Sequence, residues 1–231
     1  MDTQKRTLLA EFIGVFALTF VGGGAIIVTG GEDLIVIALA HGLILAVMVG
    51  ALLHVSGAQF NPAVSISLAA IGKQSWSQAI GFVIVQVLGG ICAAFLLKAT
   101  MAHGFAFAQE HIGETLGRYS GTSGEEFISA WRVLVLEAVA TFFLMWVIMG
   151  VAVDQSNARH AGIAALAIGG VVAADILCFG PATGASMNPS RSFGPALVTG
   201  AWTLLWCYWV GPIIGASIAA FVYDKAIKTS E

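Results

Sequence analysis

The sequence predicts an all-α membrane protein with six transmembrane helices and two re-entrant half-helices in an inverted 3+3 repeat. Its 231 residues are 58% hydrophobic and only 10% charged, whereas soluble domains are roughly 45–50% apolar. Apolar runs of about 20 residues, the length that crosses a bilayer core, can be drawn along the whole chain. The two halves of the chain also share one pattern at a nearly constant offset, and this repeat sets the arrangement of the helices.

The repeat is established by equivalent residues and by matching segments. Three residue pairs are separated by 126 or 127 positions: Glu11 with Glu137, Asn61 with Asn188, and Gly89 with Gly215. The segments around them also match: AEFIGVFALTF is similar to LEAVATFFLMW, and SGAQFNPAVS is similar to TGASMNPSRS. An internal repeat of this kind is typical of membrane transport proteins.

Six spans are predicted within a single membrane domain of residues 1–231. They are Thr7–Thr29, Leu34–Val55, Trp76–Lys98, Phe127–Val153, Ala161–Gly180 and Ala201–Tyr223. Repeat 1 covers about 7–98, repeat 2 covers about 127–223, and the glycine-rich segment 99–126 is interpreted as an irregular linking loop. Because each repeat crosses the membrane three times, the two repeats enter from opposite sides, and a pseudo-two-fold axis lies in the membrane plane.

Basic residues predict the orientation of the spans. Six of them fall on the side of the N-terminus, namely Lys5, Arg6, Lys73, Arg159, Lys225 and Lys228, while Lys98, Arg118 and Arg132 flank the opposite loop. Since cytoplasmic loops carry the excess of Lys and Arg, we expect a multi-pass protein of the cell membrane with both termini in the cytoplasm.

The two Asn-Pro dipeptides are the most informative local motif. One copy alone is typical of an ordinary helix start, because Asn caps helices and Pro favours the first helical position. Here each copy precedes a short helical segment, Pro62–Ile71 or Pro189–Val198. About ten residues span about 15 Å, half of the hydrocarbon core, so the two segments are predicted to enter from opposite faces and to meet at its middle.

Such an arrangement predicts a polar path through the membrane. Irregular backbone at that depth is tolerated only where protein buries it or where it lines a water-filled cavity. The carboxamides of Asn61 and Asn188 can cap the half-helices and donate into the lumen, where both positive helix ends also point. A solute there accepts hydrogen bonds more readily than it donates them, so we expect neutral solutes to pass and protons and ions to be excluded.

These features resemble the aquaporin, or major intrinsic protein, family over essentially the whole chain. The resemblance rests on the inverted repeat, on the run GASMNPSRSFGPA, and on the boxes Asn61-Pro62-Ala63 and Asn188-Pro189-Ser190. Ser190 stands where the family usually has Ala, and we expect it to change the packing there rather than the mechanism. The resemblance implies a passive water channel without cofactor or metal, with one pore in each subunit of a homotetramer.

The resemblance also implies a selectivity filter at His41, Ile176, Ala185 and Arg191. Many water-specific members have Phe and His at the first two positions, so His41 and Ile176 look more like the plant tonoplast intrinsic proteins. In that group this pattern accompanies passage of ammonia, and sometimes of urea, with water. Arg191 could instead form an ion pair near a helix start, but a charge at membrane depth is costly, which favours the filter role.

Four further side chains have open interpretations or no assigned role. Glu11 and Glu137 could carry protons, although their equivalent positions and the resemblance favour buried acceptors that hold the re-entrant loops. His54 resembles a histidine at the inner pore mouth of the family, and it could equally be a packing residue. Asp175, next to Ile176, has no assigned role.

Other functions remain as alternatives. A glycerol or small-polyol facilitator is disfavoured by Ser192, where that branch typically has Asp, and by Ala196 and the pair Tyr208-Trp209, which resemble the water branch. An inverted-repeat secondary transporter would need an ion site with clustered carboxylates at the broken helices. A structural membrane protein of the same fold would conduct nothing. An enzyme or a nucleic-acid-binding protein is not expected, because no catalytic, metal-binding or basic cluster is present.

Overall fold

The protein is described by a computed structural model that covers residues 2–105, 111, 113, 115, 118–121, 124–154 and 162–228. The described residues form six long apolar helices, two short helices and one small β-hairpin, and the predicted all-α membrane fold is confirmed. The helices are α1 (Thr3–Thr29), α2 (Leu34–Ser56), α3 (Pro62–Ala70), α4 (Trp76–Met101), α5 (Ala130–Ile148), α6 (Ala164–Thr183), α7 (Pro189–Thr199) and α8 (Cys207–Val222). Single π-helical turns, Met149–Val153 and Tyr223–Ile227, extend α5 and α8.

The surface of the helix assembly is apolar and its interior holds polar groups, as expected for a multi-pass membrane protein. Among the described residues, six helices are long and apolar enough to cross a membrane. Val47 and Leu166 are 63% and 68% exposed, whereas the side chains of Glu11 and Glu137 are fully buried. Such a distribution suits a lipid environment, because lipid contacts apolar side chains while the charged groups need partners inside the protein.

The predicted boundaries are displaced at several ends. The last span begins at Cys207 instead of Ala201, because residues 203–206 form turns in which Leu204 has a left-handed φ of 60°. Residues 99–126 are not wholly irregular, as α4 continues to Met101 and an antiparallel hairpin pairs β1 (Arg118–Gly121) with β2 (Gly124–Phe127). Each strand has only four residues, which is too short for a recognisable alternation of polar and apolar positions.

Glycines allow equivalent helix pairs to pack backbone against backbone. Gly89 of α4 lies against the Phe12 carbonyl of α1, and Gly215 of α8 lies against the Ala138 carbonyl of α5. A Cβ atom at either glycine would overlap that backbone. Small residues at such crossings let helices approach closely, which is the main source of helix association inside a membrane.

The pseudo-two-fold axis passes through the crossing of α2 and α6. Gly42 and Gly169 are equivalent residues of the two repeats, and each lies against the carbonyl of the other. Because equivalent positions can meet only on a symmetry axis, this contact places the axis between the two repeats at the centre of the molecule.

Polar contacts fix the faces from which the half-helices enter. Lys73, just after α3, forms a 2.7 Å ion pair with Asp224 at the end of α8. Lys98, near the end of α4, donates to the Val198 carbonyl near the end of α7 at 3.4 Å. Since α4 and α8 end on opposite faces, the carboxyl ends of α3 and α7 also lie on opposite faces, and their amino ends meet in the interior.

We predict that Gly215→Ala lowers the stability of the folded protein. The added methyl would overlap the Ala138 backbone, and overpacking of this kind typically costs about 1–3 kcal/mol. Gly170→Ala is the matched control, because a Cβ there meets no atom within 4 Å. Thermal unfolding in detergent, followed by tryptophan fluorescence, should show a lower Tm for Gly215→Ala alone. Equal Tm values for the two variants would contradict close packing at Gly215.

Candidate functional site

The two segments that lead into the half-helices have a strained backbone. Ala58 and Phe60 adopt left-handed φ values of 47° and 49°, and the equivalent residues Ala185 and Met187 adopt 44° and 54°. A residue other than glycine in this conformation costs roughly 1–3 kcal/mol. Four such residues persist only if other interactions hold both segments in place.

Glu11 of α1 holds the first segment. Its Oε1 atom accepts hydrogen bonds from the Ser56 hydroxyl at 2.6 Å and from the Gln59 backbone N–H at 3.0 Å. Its Oε2 atom accepts from the Phe60 backbone N–H at 2.6 Å and from the Gln86 carboxamide at 2.8 Å. Four donors therefore surround a carboxyl group that is fully buried.

Glu137 of α5 makes the equivalent contacts to the second segment. Its Oε1 atom accepts from the Thr183 hydroxyl at 2.7 Å and from the Ser186 backbone N–H at 3.0 Å. Its Oε2 atom accepts from the Met187 backbone N–H at 2.8 Å. The Thr183 hydroxyl oxygen in turn accepts from the Ala185 backbone N–H at 3.0 Å. Both carboxyl groups therefore accept hydrogen bonds from the strained backbone segments. This is the role that the sequence favours for these two equivalent residues.

Each half-helix begins at an Asn-Pro dipeptide whose Asn is the N-cap. The Oδ1 atom of Asn61 accepts from the Ala63 N–H at 2.9 Å, and that of Asn188 accepts from the Ser190 N–H at 3.1 Å. Pro62 and Pro189 occupy the first helical position, where a missing N–H costs no hydrogen bond. The boxes that the sequence singled out therefore start both half-helices.

The same two carboxamides join the repeats to each other. Asn61 Nδ2 donates to the Met187 carbonyl at 2.7 Å, and Asn188 Nδ2 donates to the Phe60 carbonyl at 2.7 Å. Sequence reasoning missed this reciprocal pair, since it placed both NH2 groups in the lumen. Each NH2 group carries two hydrogens, so one hydrogen remains on each Asn beyond the cross-link.

A narrow cavity of about 30 Å³ surrounds this meeting point. A water molecule needs about 10–15 Å³ on this scale, so the cavity holds about two. Its lining contains Leu18, His41, Leu45, Ala58, Gln59, Phe60, Asn61, Val64, Leu144, Ile148, Ile168, Val172, Ile176, Ala185, Ser186, Met187, Asn188 and Arg191. Both Asn residues and all four predicted filter residues are among them. Within this described lining, Arg191 is the only residue with a formal charge.

His41 and Arg191 are hydrogen-bonded at one end of the cavity. Arg191 Nη2 lies 3.2 Å from His41 Nε2, and Arg191 Nη1 donates to the Gly113 carbonyl at 2.7 Å. His41 Nδ1 lies 2.8 Å from the Ile37 carbonyl. A carbonyl only accepts and a guanidinium only donates, so the contacts assign the imidazole hydrogen to Nδ1 and leave Nε2 as the acceptor from Arg191.

At the opposite end of the cavity, two apolar residues take the place of this pair. By the repeat offset of 127 positions, Val64 is equivalent to Arg191 and Ile168 is equivalent to His41. Both of these apolar residues line the cavity. A second cavity of about 220 Å³ continues from this end and shares Val64 and Ile168 in its lining. The fold is thus nearly symmetric, while the polar pair Arg191 and His41 at one end of the passage is replaced by Val64 and Ile168 at the other.

The structure does not bring His54 to the channel. His54 is exposed and follows Leu45 by nine positions, which puts it about half a turn around α2 from that lining residue. It lies on the outward face with Val47, which is 63% exposed. The described lining of the second cavity contains Leu53 and Gln59 instead. The sequence left a pore-mouth role and a packing role open for His54, and the phase of α2 disfavours the first of them.

Two further polar residues are buried beside the channel. The Ser190 hydroxyl and the Oδ2 atom of Asp175 are buried without a hydrogen-bond partner in the described part of the chain. Neither residue is in the lining of the narrow cavity. The carbonyl of Ser190 lies against Gly90 of α4, so the family-atypical serine sits at a tight helix contact.

The fold and this passage define a membrane channel. The model of the family described as "Major intrinsic protein" matches residues 2–223. The chain is 39% identical over 232 residues to "Probable aquaporin TIP1-2" of Oryza sativa subsp. japonica, covering 96% of this chain and 86% of that protein. It is 43% identical over 187 residues to "Aquaporin TIP4-4" of Zea mays, covering 81% and 69%.

A solved structure shares the same fold. The aquaglyceroporin from Plasmodium falciparum superposes with a TM-score of 0.82 at 27% sequence identity, covering 97% of each chain. The protein therefore belongs to the major intrinsic protein family. The resemblance derived from the two boxes and the inverted repeat is confirmed.

We predict that Glu137→Gln strongly destabilises the protein. Replacing one carboxylate oxygen by NH2 sets a donor against the backbone donors of the second segment, and each hydrogen bond to a charged group is worth about 1.5–3 kcal/mol. Glu32→Gln, at an exposed position, is the control. Size-exclusion profiles and thermal unfolding in detergent should separate the two variants. A Glu137→Gln protein that unfolds with the native Tm would exclude a supporting role for this carboxyl group.

Proposed function

We propose that the protein is a passive channel for water and ammonia, with urea as a further candidate solute, that excludes protons and ions. The observation that carries this proposal is the narrow cavity itself. It holds about two water molecules and presents amide groups from both half-helices at its middle. A cavity of this small volume has room for water-sized neutral molecules and none for bulky solutes.

The electrostatics of the channel supports the exclusion of cations. The amino ends of α3 and α7 meet at the cavity and carry the positive ends of both helix dipoles. The guanidinium of Arg191 adds a full positive charge in the same lining. A solute at the middle accepts hydrogen bonds from Asn61 and Asn188 and cannot pass a proton along a continuous chain of donors.

The filter composition supports ammonia as a second solute. Ile176 and Ala185 leave one part of the filter apolar, and both are almost fully buried in the lining. His41 accepts from Arg191 through Nε2, so the polar part consists of a bonded pair. The sequence resembles the tonoplast pattern at these positions, and two of the relatives are named aquaporin TIP.

A glycerol or polyol facilitator is the second candidate of the same class, because the similar solved structure is an aquaglyceroporin. Ser192 weighs against it. Its hydroxyl accepts from the Thr115 hydroxyl at 2.7 Å and donates to the Ser186 hydroxyl at 2.5 Å. The serine is thus part of a hydrogen-bonded network beside the filter, in the place where the glycerol branch typically has Asp.

The lining also disfavours a secondary transporter. Coupled transport needs an ion site at the broken helices, whereas none of the described residues that line the narrow cavity carries a carboxyl group. Glu11 and Glu137 lie next to it, but their oxygens accept from the two strained segments. We therefore assign both residues to support of the loops rather than to proton transfer, and we assign no enzymatic activity to the chain.

The assembly and the membrane are part of the same proposal. We expect a homotetramer with one channel in each subunit, as the family resemblance implies. Six crossings put both termini on one face, and the Lys73–Asp224 ion pair lies on that face. The distribution of Lys and Arg favours the cytoplasm for it, with the protein in the cell membrane.

Stopped-flow light scattering of proteoliposomes tests the proposal. Native protein should give fast osmotic shrinkage and ammonia entry above empty liposomes. His41→Phe combined with Ile176→His restores the pattern of many water-specific members, so it should keep the water flux and abolish most of the ammonia flux. Glycerol and urea uptake are recorded in the same preparations.

The outcomes separate the candidates. Water flux alone in both proteins would contradict ammonia as a solute and the filter assignment with it. Rapid glycerol entry would favour the polyol facilitator. Flux that saturates and depends on an ion gradient would favour a transporter, and permeability equal to that of empty liposomes would overturn the channel proposal.

We further predict that mercurials inhibit the native channel only weakly. The residue in the filter is Ala185 and not Cys, while Cys92 and Cys178 are exposed on the outside of the helices and Cys207 is buried away from the cavity lining. Ala185→Cys should make water flux sensitive to mercuric chloride, with recovery after addition of a thiol. Strong block of the native channel that Cys178→Ser removes would show a different inhibitory site.

A further inference from the structure

Two hydrogen-bond partners of the Arg191 guanidinium, His41 and Gly113, lie against two successive glycines of α1. The His41 imidazole occupies the space next to Gly22, and a Cβ atom at Gly22 would overlap the ring. Gly113 approaches the backbone of Gly23 so closely that a Cβ atom on Gly113 would lie 2.7 Å from the Gly23 Cα. One surface of α1 therefore contacts the acceptor of Nη2 and the residue that supplies the acceptor of Nη1.

We infer that Gly22 is a positioning residue for the filter. Because Gly22 has no side chain, the His41 imidazole can lie against α1, where it accepts a hydrogen bond from Arg191. The backbone of the adjacent Gly23 likewise leaves space for Gly113, whose carbonyl accepts from Arg191. Gly22 is absent from the described lining of the narrow cavity, so it acts through His41 rather than on the solute. This inference rests on the proposed function, since it concerns the filter of that channel.

The second repeat shows what the same site looks like without a glycine. The residue equivalent to Gly22 is Ile148, at an offset of 126 positions, and the residue equivalent to His41 is Ile168. Both isoleucines line the cavity. Two aliphatic side chains therefore occupy one end of the channel, whereas a glycine and a histidine share the corresponding volume at the end that contains Arg191.

The imidazole has little freedom to adapt to a methyl group at position 22. Its Nδ1 is bonded to the Ile37 carbonyl of its own helix and its Nε2 to Arg191. Nor can α1 easily withdraw, because Gly89 of α4 packs directly against the Phe12 carbonyl of α1. The ring must therefore move, break its bond to Arg191, and enter the passage.

Gly24 provides a matched control on the same helix. A Cβ atom at Gly24 would lie 3.7 Å from side-chain atoms of Leu97 and Met101, which is an ordinary van der Waals distance. Gly22→Ala and Gly24→Ala raise helix propensity equally. Only Gly22→Ala adds an atom that overlaps the His41 ring.

The test is a double-mutant cycle on water permeability in proteoliposomes. We expect Gly22→Ala to reduce water permeability by about tenfold, as couplings between residues in contact allow, and Gly24→Ala to leave it unchanged. In a His41→Ala background the clash is absent, so adding Gly22→Ala should have no further effect. A residue that is merely structural would reduce permeability equally in both backgrounds.

A second measurement does not depend on transport. The chain contains five histidines, and the ring nitrogen resonances of ¹⁵N-labelled protein can be assigned to His41 by their loss in His41→Ala. Gly22→Ala should shift the Nε2 resonance of His41, and Gly24→Ala should not. Should native protein conduct no water, the proposed function fails while this resonance still decides the positioning of His41.

Three results would overturn the inference. They are native permeability of Gly22→Ala, an unmoved His41 resonance in that variant, and an equal loss in the His41→Ala background. If Gly22→Ala alone does not reach the folded state, recovery of folded protein in Gly22→Ala with His41→Ala supports the clash, and failure of the double variant to recover contradicts it.

Discussion

The channel depends on the hydrogen bonds that two buried carboxyl groups, those of Glu11 and Glu137, accept from the backbone. The segments before the half-helices run through the membrane interior with alternate residues in a left-handed conformation. Lipid offers these segments no hydrogen bonds, so the protein must supply acceptors for their backbone N–H groups. Glu11 and Glu137 supply the acceptors there, each from a helix that packs across a glycine contact. The Phe60 and Met187 carbonyls are then held where the Asn residues of the opposite repeat bond to them.

The two repeats share the backbone scaffold, and the polar pair at one end of the passage comes from the few positions at which the repeats differ. Equivalent acidic residues, hydroxyls and Asn caps make nearly the same hydrogen bonds in both halves. Three departures from this pattern distinguish the two ends of the passage. Arg191 is equivalent to Val64, His41 to Ile168, and Gly22, which leaves space for His41, to Ile148. Since these positions line or border the same cavity, the asymmetry of the passage originates in a few residues and not in a different backbone.

The sequence predicts the spans, the repeat and the half-helices well, because these depend on hydrophobic length and on residues that recur at one offset. It predicts long-range contacts poorly. The cross-link from Asn61 to the Met187 carbonyl and the bond from Arg191 to the Gly113 carbonyl join atoms far apart in sequence, and backbone acceptors leave no signature in residue type. For His54 the sequence left a pore-mouth role and a packing role open, because the resemblance does not contain the rotation of α2 that decides which residues face inward.

The cross-link between the Asn carboxamides and the opposite carbonyls has a consequence for biosynthesis. When the ribosome has completed the first repeat, the partner of Asn61 is the carbonyl of Met187, a residue that has not yet been translated. The Phe60 carbonyl likewise lacks the Asn188 amide. The first re-entrant segment therefore carries unsatisfied polar groups that lipid cannot accommodate. It must remain in a hydrated or protein-lined environment at the translocon until the second half arrives, so the two halves complete their folding together.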